Sequence, residues 1–274
     1  MTQFNDTNSA WSAEKVDIVI KSLANLRLLA DLDLVPRYPH FGDKTYPLGR
    51  CKEIRDAVFV LLQEKLPQST DPGLVLIRDM LSKGTVLKKV WGSLRDEYFQ
   101  NAMVLGDWYL DVSNDTVNPN KPRVEVLPLI ESQFYNIASF EQFVKIARSY
   151  WNVEVYRNDI CPALAPFLPM LYVREDGVSW LGEANDDMLA MTMANKFLAA
   201  ERILSILPPP PKSLLQQWQI ALKGITHNEF LHGQGEGETY CQQYRERQFY
   251  IGSEIRDRVV MAYLMLPRGI DYAQ

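Results

Sequence analysis

Apolar residues recur at helical spacing in the first part of the chain and then switch to alternation. Val16, Val19, Ile20, Leu23 and Leu26 fall on one stripe of a helix over residues 13 to 32, with Glu14, Asp17 and Lys21 on the other side. A loop rich in Pro, Gly and aromatics follows (VPRYPHFGDKTYPLGR). Ile54, Ala57, Val58, Leu61, Leu62 and Leu66 then return at mostly three- and four-residue steps, which predicts a second, more deeply packed helix. From about residue 85 the period shortens. TVLKKVWGSL, YFQNAMVL and WYLDVSND are short runs of β-branched and aromatic residues, Gly106-Asp107 between the last two is a hairpin turn, and RVEVLPL adds a fourth strand. Two helices followed by an antiparallel sheet define an α+β arrangement.

The rest of the chain reads as mainly helical. SFEQFVKIARSYW begins with a capping Ser139 and places Phe140, Phe143, Val144 and Ala147 on one face. NDDMLAMTMANKFLAAERILSIL is acidic in its first turn, as the helix dipole favours, and reads as one long helix. Pro208 to Pro211 stop it, and such a run is a stiff, extended spacer. A helix near 213 to 225, a glycine-rich turn (HGQGEGE), an aromatic and charged stretch (TYCQQYRERQFY) and a final helix from Ser253 to Leu266 complete the chain. The expected division is an α+β domain at 1–130 and a mainly helical region at 131–274, with N-terminal helices packed on a small antiparallel sheet in the first.

Composition narrows the class of protein. With 274 residues and 47% hydrophobic content, the chain can bury a substantial core. The formal charge of −5 arises from interspersed acids and bases without long like-charge runs, so no nucleic-acid partner is expected. The N-terminus, MTQFNDTNSAWSAEKVD, lacks the basic start and apolar stretch of a secretory signal. No segment reaches the apolar length of a membrane helix, and the expectation is a cytoplasmic protein with no membrane partner. Cys51, Cys161 and Cys241 are odd in number and widely spaced, which points to free thiols rather than a disulfide framework or a zinc knuckle.

Candidate chemistry centres on Cys51, at the head of the second helix. Unpaired N–H groups and the dipole at a helix N-terminus stabilise a thiolate, while a base and an orienting group are needed to complete a thiol nucleophile. The competing reading is a small apolar residue on the same inner stripe as Ile54 and Val58. From the residues alone, Asp111 in DVSNDTVNP reads as a turn-capping residue. Trp91, Tyr98, Trp108 and Tyr109 read more readily as core than as cleft lining.

YPLGRC leading into an amphipathic helix, the glycine-bearing KVWGSL, and FQNAMVLGDWYLDVSND resemble the papain-like and transglutaminase-like fold of bacterial proteins, in which a cysteine opens the central helix. The resemblance spans roughly residues 40 to 120. It implies that Cys51 takes the nucleophile position and Asp111 the orienting-acid position, with Asn101 where that family carries its histidine. An asparagine has no proton acceptor near neutral pH and cannot deprotonate the thiol.

Other histidines are few. His40 lies in the loop leading to Cys51 and is the alternative base. His227 and His232 are five apart, which on a helix turns them away from one another, and HNEFLH lacks the H-E-x-x-H spacing of a zinc peptidase. Even with Glu229, Glu236 and Glu238 nearby, no metal site is expected. The closely spaced glycines of HGQGEGE follow a helix rather than a strand, so no nucleotide cofactor is expected either.

The expected function is that of a degenerate papain-like or transglutaminase-like protein that lacks Cys-His-Asp catalysis. It acts as a bacterial pseudoenzyme, binding a protein or small-molecule partner. The first alternative is an active thiol amidase, peptidase or acyl transferase that uses Cys51 with a histidine from elsewhere. The second is an unrelated α+β small-molecule-binding protein.

Overall fold

The computed structural model describes residues 11–182 and 185–271. Most of the N-terminal stretch read for a leader therefore lies outside the described residues. The fold is α+β, with helices at the N-terminus, small antiparallel sheets and a C-terminal half rich in helix. Contacts divide it into two compact units, Met1–Arg95 with Phe99–Asn136, and Asp96–Tyr98 with Ile137–Gln274.

In the first unit, α1 (Ala13–Arg37) starts where the Ser12 hydroxyl accepts the Lys15 N–H, and it runs on through Pro36, past the end that periodicity suggests. A small hairpin, β1 (His40–Phe41) and β2 (Lys44–Thr45), connects it to α2 (Cys51–Lys65). Next comes α3 (Pro72–Ser82), which the apolar spacing left unassigned. Asp71 Oδ1 accepts the N–H groups of Gly73 and Leu74, and Pro72 occupies the first turn, where its missing N–H costs nothing. Val19, Leu23, Leu26, Ala30 and Leu34 of α1 pack with Ile54, Val58 and Leu62 of α2 and with Leu74 and Ile77 of α3.

This layer covers one face of a sheet built from β3 (Leu87–Leu94), β4 (Tyr98–Leu105), β5 (Trp108–Asp111), β6 (Glu125–Pro128) and, after the short α4 (Leu129–Ser132), β7 (Phe134–Tyr135). The strand order is β6-β5-β4-β3-β7. Gly106, at φ +58°, forms the tight turn that sets Leu105 opposite Trp108. Met103, Leu105, Leu110, Val112 and Val126 point into the helical layer and complete the core.

Gly92 of β3 has no room for a side chain, because an added Cβ would collide with the Tyr135 carbonyl and the Phe134 ring. Gly92→Ala is expected to lower stability by about 1–3 kcal/mol, the usual cost of overpacking, as read from urea unfolding midpoints. An unchanged midpoint would show that β7 yields without cost.

A buried ion network ties α1 to the turn after β5. The Arg27 guanidinium, only 1% exposed, donates from Nε to Asp31 at 2.6 Å and from Nη1 to Asp115 at 2.9 Å and to the Val112 carbonyl at 2.7 Å. Burial works against its charge. The hydrogen bonds to Asp115 and Asp31 outweigh that and hold its pKa above the ordinary arginine value. The Tyr46 hydroxyl also donates to Asp31.

In the second unit, α5 (Phe140–Tyr150) is capped by the Ser139 hydroxyl and buries the predicted Phe140, Phe143, Val144 and Ala147. The unit also contains a four-stranded sheet that the helical reading did not anticipate. Its strands are β8 (Val153–Arg157), β9 (Met170–Arg174), β10 (Val178–Leu181) and, at the end of the chain, β11 (Ile270–Asp271), in the order β11-β10-β9-β8. The stretch expected as one long helix is two, α6 (Asp186–Ala194) and α7 (Leu198–Ile206). Asn195 ends the first, Lys196 and Phe197 take φ of +56° and +62°, and the Asn195 carboxamide oxygen accepts the Ala199 N–H to start the second. Burial of the Phe197 ring against Phe167 and Tyr244 holds this break.

The proline run after α7 packs within this unit. The Pro208 carbonyl accepts the Arg157 N–H at 3.0 Å and Pro210 is buried, so the run is part of the unit's packing. It leads into α8 (Lys212–Lys223), followed by α9 (Gly237–Glu246) and α10 (Glu254–Leu264). Among the described residues, no helix is long and apolar enough to cross a membrane.

Candidate functional site

The site forms where α2 begins. Gly49, at φ +74°, makes the bend before the helix, and the Phe41 ring occupies the space a side chain would need. The Gly49 N–H donates to the Thr116 carbonyl at 3.0 Å, fixing this bend to the loop after β5. The Arg50 guanidinium lies 5.0 Å from the Tyr38 ring centre and 5.1 Å from that of Phe41, a cation–π sandwich. It donates to Glu53 at 3.0 Å and to the backbone carbonyl of His40. His40 thus contributes to this loop through its backbone, while its own side chain is on the exposed hairpin.

Cys51 is half-buried, and the Asn101 side-chain amide donates to its sulfur, Nδ2 to Sγ at 3.3 Å. The two positions paired by the family resemblance therefore meet in space. Burial pushes the Cys51 thiol above its ordinary pKa; hydrogen bonding from Asn101 acts in the opposite direction without overcoming it, and the charges of Asp111 and Glu53 reinforce the rise.

Asp111 goes elsewhere. Its neighbours Leu110 and Val112 point into the helical core, so the pleat turns Asp111 toward the opposite face of the sheet together with Tyr109. There Asp111 Oδ2 accepts from Gln100 Nε2 at 2.8 Å and from the Tyr109 hydroxyl at 3.1 Å, and Oδ1 accepts from the Ser113 N–H at 2.8 Å. The Ser113 hydroxyl is within reach of both Asp111 Oδ1, at 3.0 Å, and the Asn101 carbonyl, at 3.1 Å, with one proton to give. Total burial pushes the Asp111 carboxyl up to about 6 despite these donors. The orienting-acid position implied by the resemblance is thus filled by a carboxylate whose partners are Gln100, Tyr109 and Ser113, not the Asn101 side chain.

Gln100 and Ser113 escaped the sequence reading. Gln100 was legible in principle as a polar residue next to Asn101 in an otherwise apolar run, whereas Ser113 is one of many polar residues in DVSNDTVNP and carries no such signal. Of the aromatic residues considered as cleft lining, Tyr98, Trp108 and Tyr109 are buried, which is the core reading. Trp91 stacks on Phe99 with ring centres 5.5 Å apart, and Phe99, two residues from Asn101, shares its face of β4.

The other thiols and histidines are placed in the second unit. Cys161 and Cys241 are fully buried, and burial pushes the Cys161 thiol up to about 12 and raises that of Cys241 as well. His227 and His232 are in a turn rather than on a helix, and their rings stack 5.1 Å apart instead of pointing away from one another. His232 Nδ1 is 3.2 Å from the Asn228 N–H, and Nε2 is 3.2 Å from the Leu222 carbonyl at the end of α8, so the ring ties this turn to the helix. Among the described residues, no group of three or more His, Cys, Asp or Glu side chains is arranged to hold a metal ion. No family model matches the chain, and neither a curated protein nor a solved structure matches it.

Proposed function

We propose that the first unit is a degenerate papain-like or transglutaminase-like domain that no longer carries out Cys-His-Asp catalysis and serves a bacterial cell as a binding or interaction protein. The observation that carries this reading is the Asn101 amide donating to the Cys51 sulfur. Asn101, which the resemblance sets at the position of the base, cannot deprotonate the thiol, and Asp111, which it sets at the position of the orienting acid, is hydrogen-bonded on the other face of the sheet. General-base assistance contributes about 10²- to 10⁴-fold in rate, so its loss removes most of what such a site does chemically.

The test is the pH dependence of Cys51 alkylation by iodoacetamide in the folded protein, followed by mass spectrometry. Expected is slow labelling at pH 7 that rises only above the free-thiol value of about 8.5. Fast labelling with an apparent pKa well below that value would overturn the proposal in favour of an active thiol enzyme. Asn101→His places an imidazole beside the sulfur without a carboxylate to orient it. It is expected to raise the labelling rate at pH 7 by about tenfold, short of the full general-base effect. A rate no different from that of the parent would show that position 101 does not govern the thiol.

A further inference from the structure

We draw no further inference here: the strongest candidate, the second apolar stripe of α1 formed by Leu28, Leu29, Leu32 and Val35 away from its buried face, is exposed along its length, and nothing in the structure shows what covers it.

Discussion

Arg27→Met is expected to destabilise the first unit by about 3–5 kcal/mol, the cost of leaving a buried charge without its partner. Asp115, itself 5% exposed, would lose the guanidinium that neutralises it, and the Val112 carbonyl would lose a donor. Met replaces most of the buried length of Arg27, so the loss would report on charge rather than on volume. The double variant Arg27→Met with Asp115→Asn removes both members of the pair and is expected to recover more than half of that loss. Chemical unfolding of the three proteins, arranged as a double-mutant cycle, gives the comparison. Were the single and double variants equally unstable, packing rather than the ion pair would be what Arg27 contributes.

The second large effect depends on pH and comes from Asp111. Its folded-state pKa of about 6 is above the ordinary value of 3.8, the reverse of a salt-bridged aspartate. Below 3.8 the carboxyl is protonated whether the chain is folded or not, and it contributes no pH dependence. Between 3.8 and about 6 the folded state holds a proton that the unfolded state has released, so stability falls as pH rises through this window. Above it the full penalty remains, about 3 kcal/mol for a shift of roughly two units. Asp111→Asn has no such titration. Its amide loses acceptor capacity toward the donors around it, so it should be the less stable protein at pH 4. The gap should narrow by about 2 kcal/mol between pH 4 and pH 7. Urea unfolding of both proteins at pH 4, 5, 6 and 7 measures the gap directly, and a constant difference would show that Asp111 does not titrate in this range.

Part of this architecture is legible in the residues. The stripe of Val19, Leu23 and Leu26 and that of Ile54, Val58 and Leu62 identify α1 and α2 because each buries one face and exposes the other. The β3 to β6 strands follow from short apolar runs and from the turn at Gly106. The Asp-Pro start of α3 carries a legible cap that apolar spacing alone passes over. Strands β9 and β10 are harder to see. They are five and four residues long, and the prolines and apolar residues of CPALAPFLPMLYV blur any alternation ahead of them. Nor does composition announce the break between α6 and α7, because it depends on tertiary burial of Phe197.

The site was half legible for a related reason. A resemblance counts residues along the chain and pairs Cys51, position 101 and Asp111, whereas a strand assigns each residue to a face by parity. The turn at Gly106 sets Met103 opposite Leu110, and one further step sets Ala102 opposite Asp111, so Asn101 faces Val112. Counting outward from the hairpin would have separated Asn101 from Asp111 before any coordinates.

The proline run against β8 has a consequence for how this protein behaves when crowded. β8 ends one sheet, and a chain passing beside such a strand ordinarily offers amides with which to extend the ladder. This neighbour gives one carbonyl, that of Pro208 to Arg157, and then three residues with no N–H at all. Beside Arg157 the run therefore has no further amide with which to continue the ladder. The Arg157 N–H, already taken by the Pro208 carbonyl, is one donor fewer for intermolecular β-structure, a standing hazard for an unguarded edge.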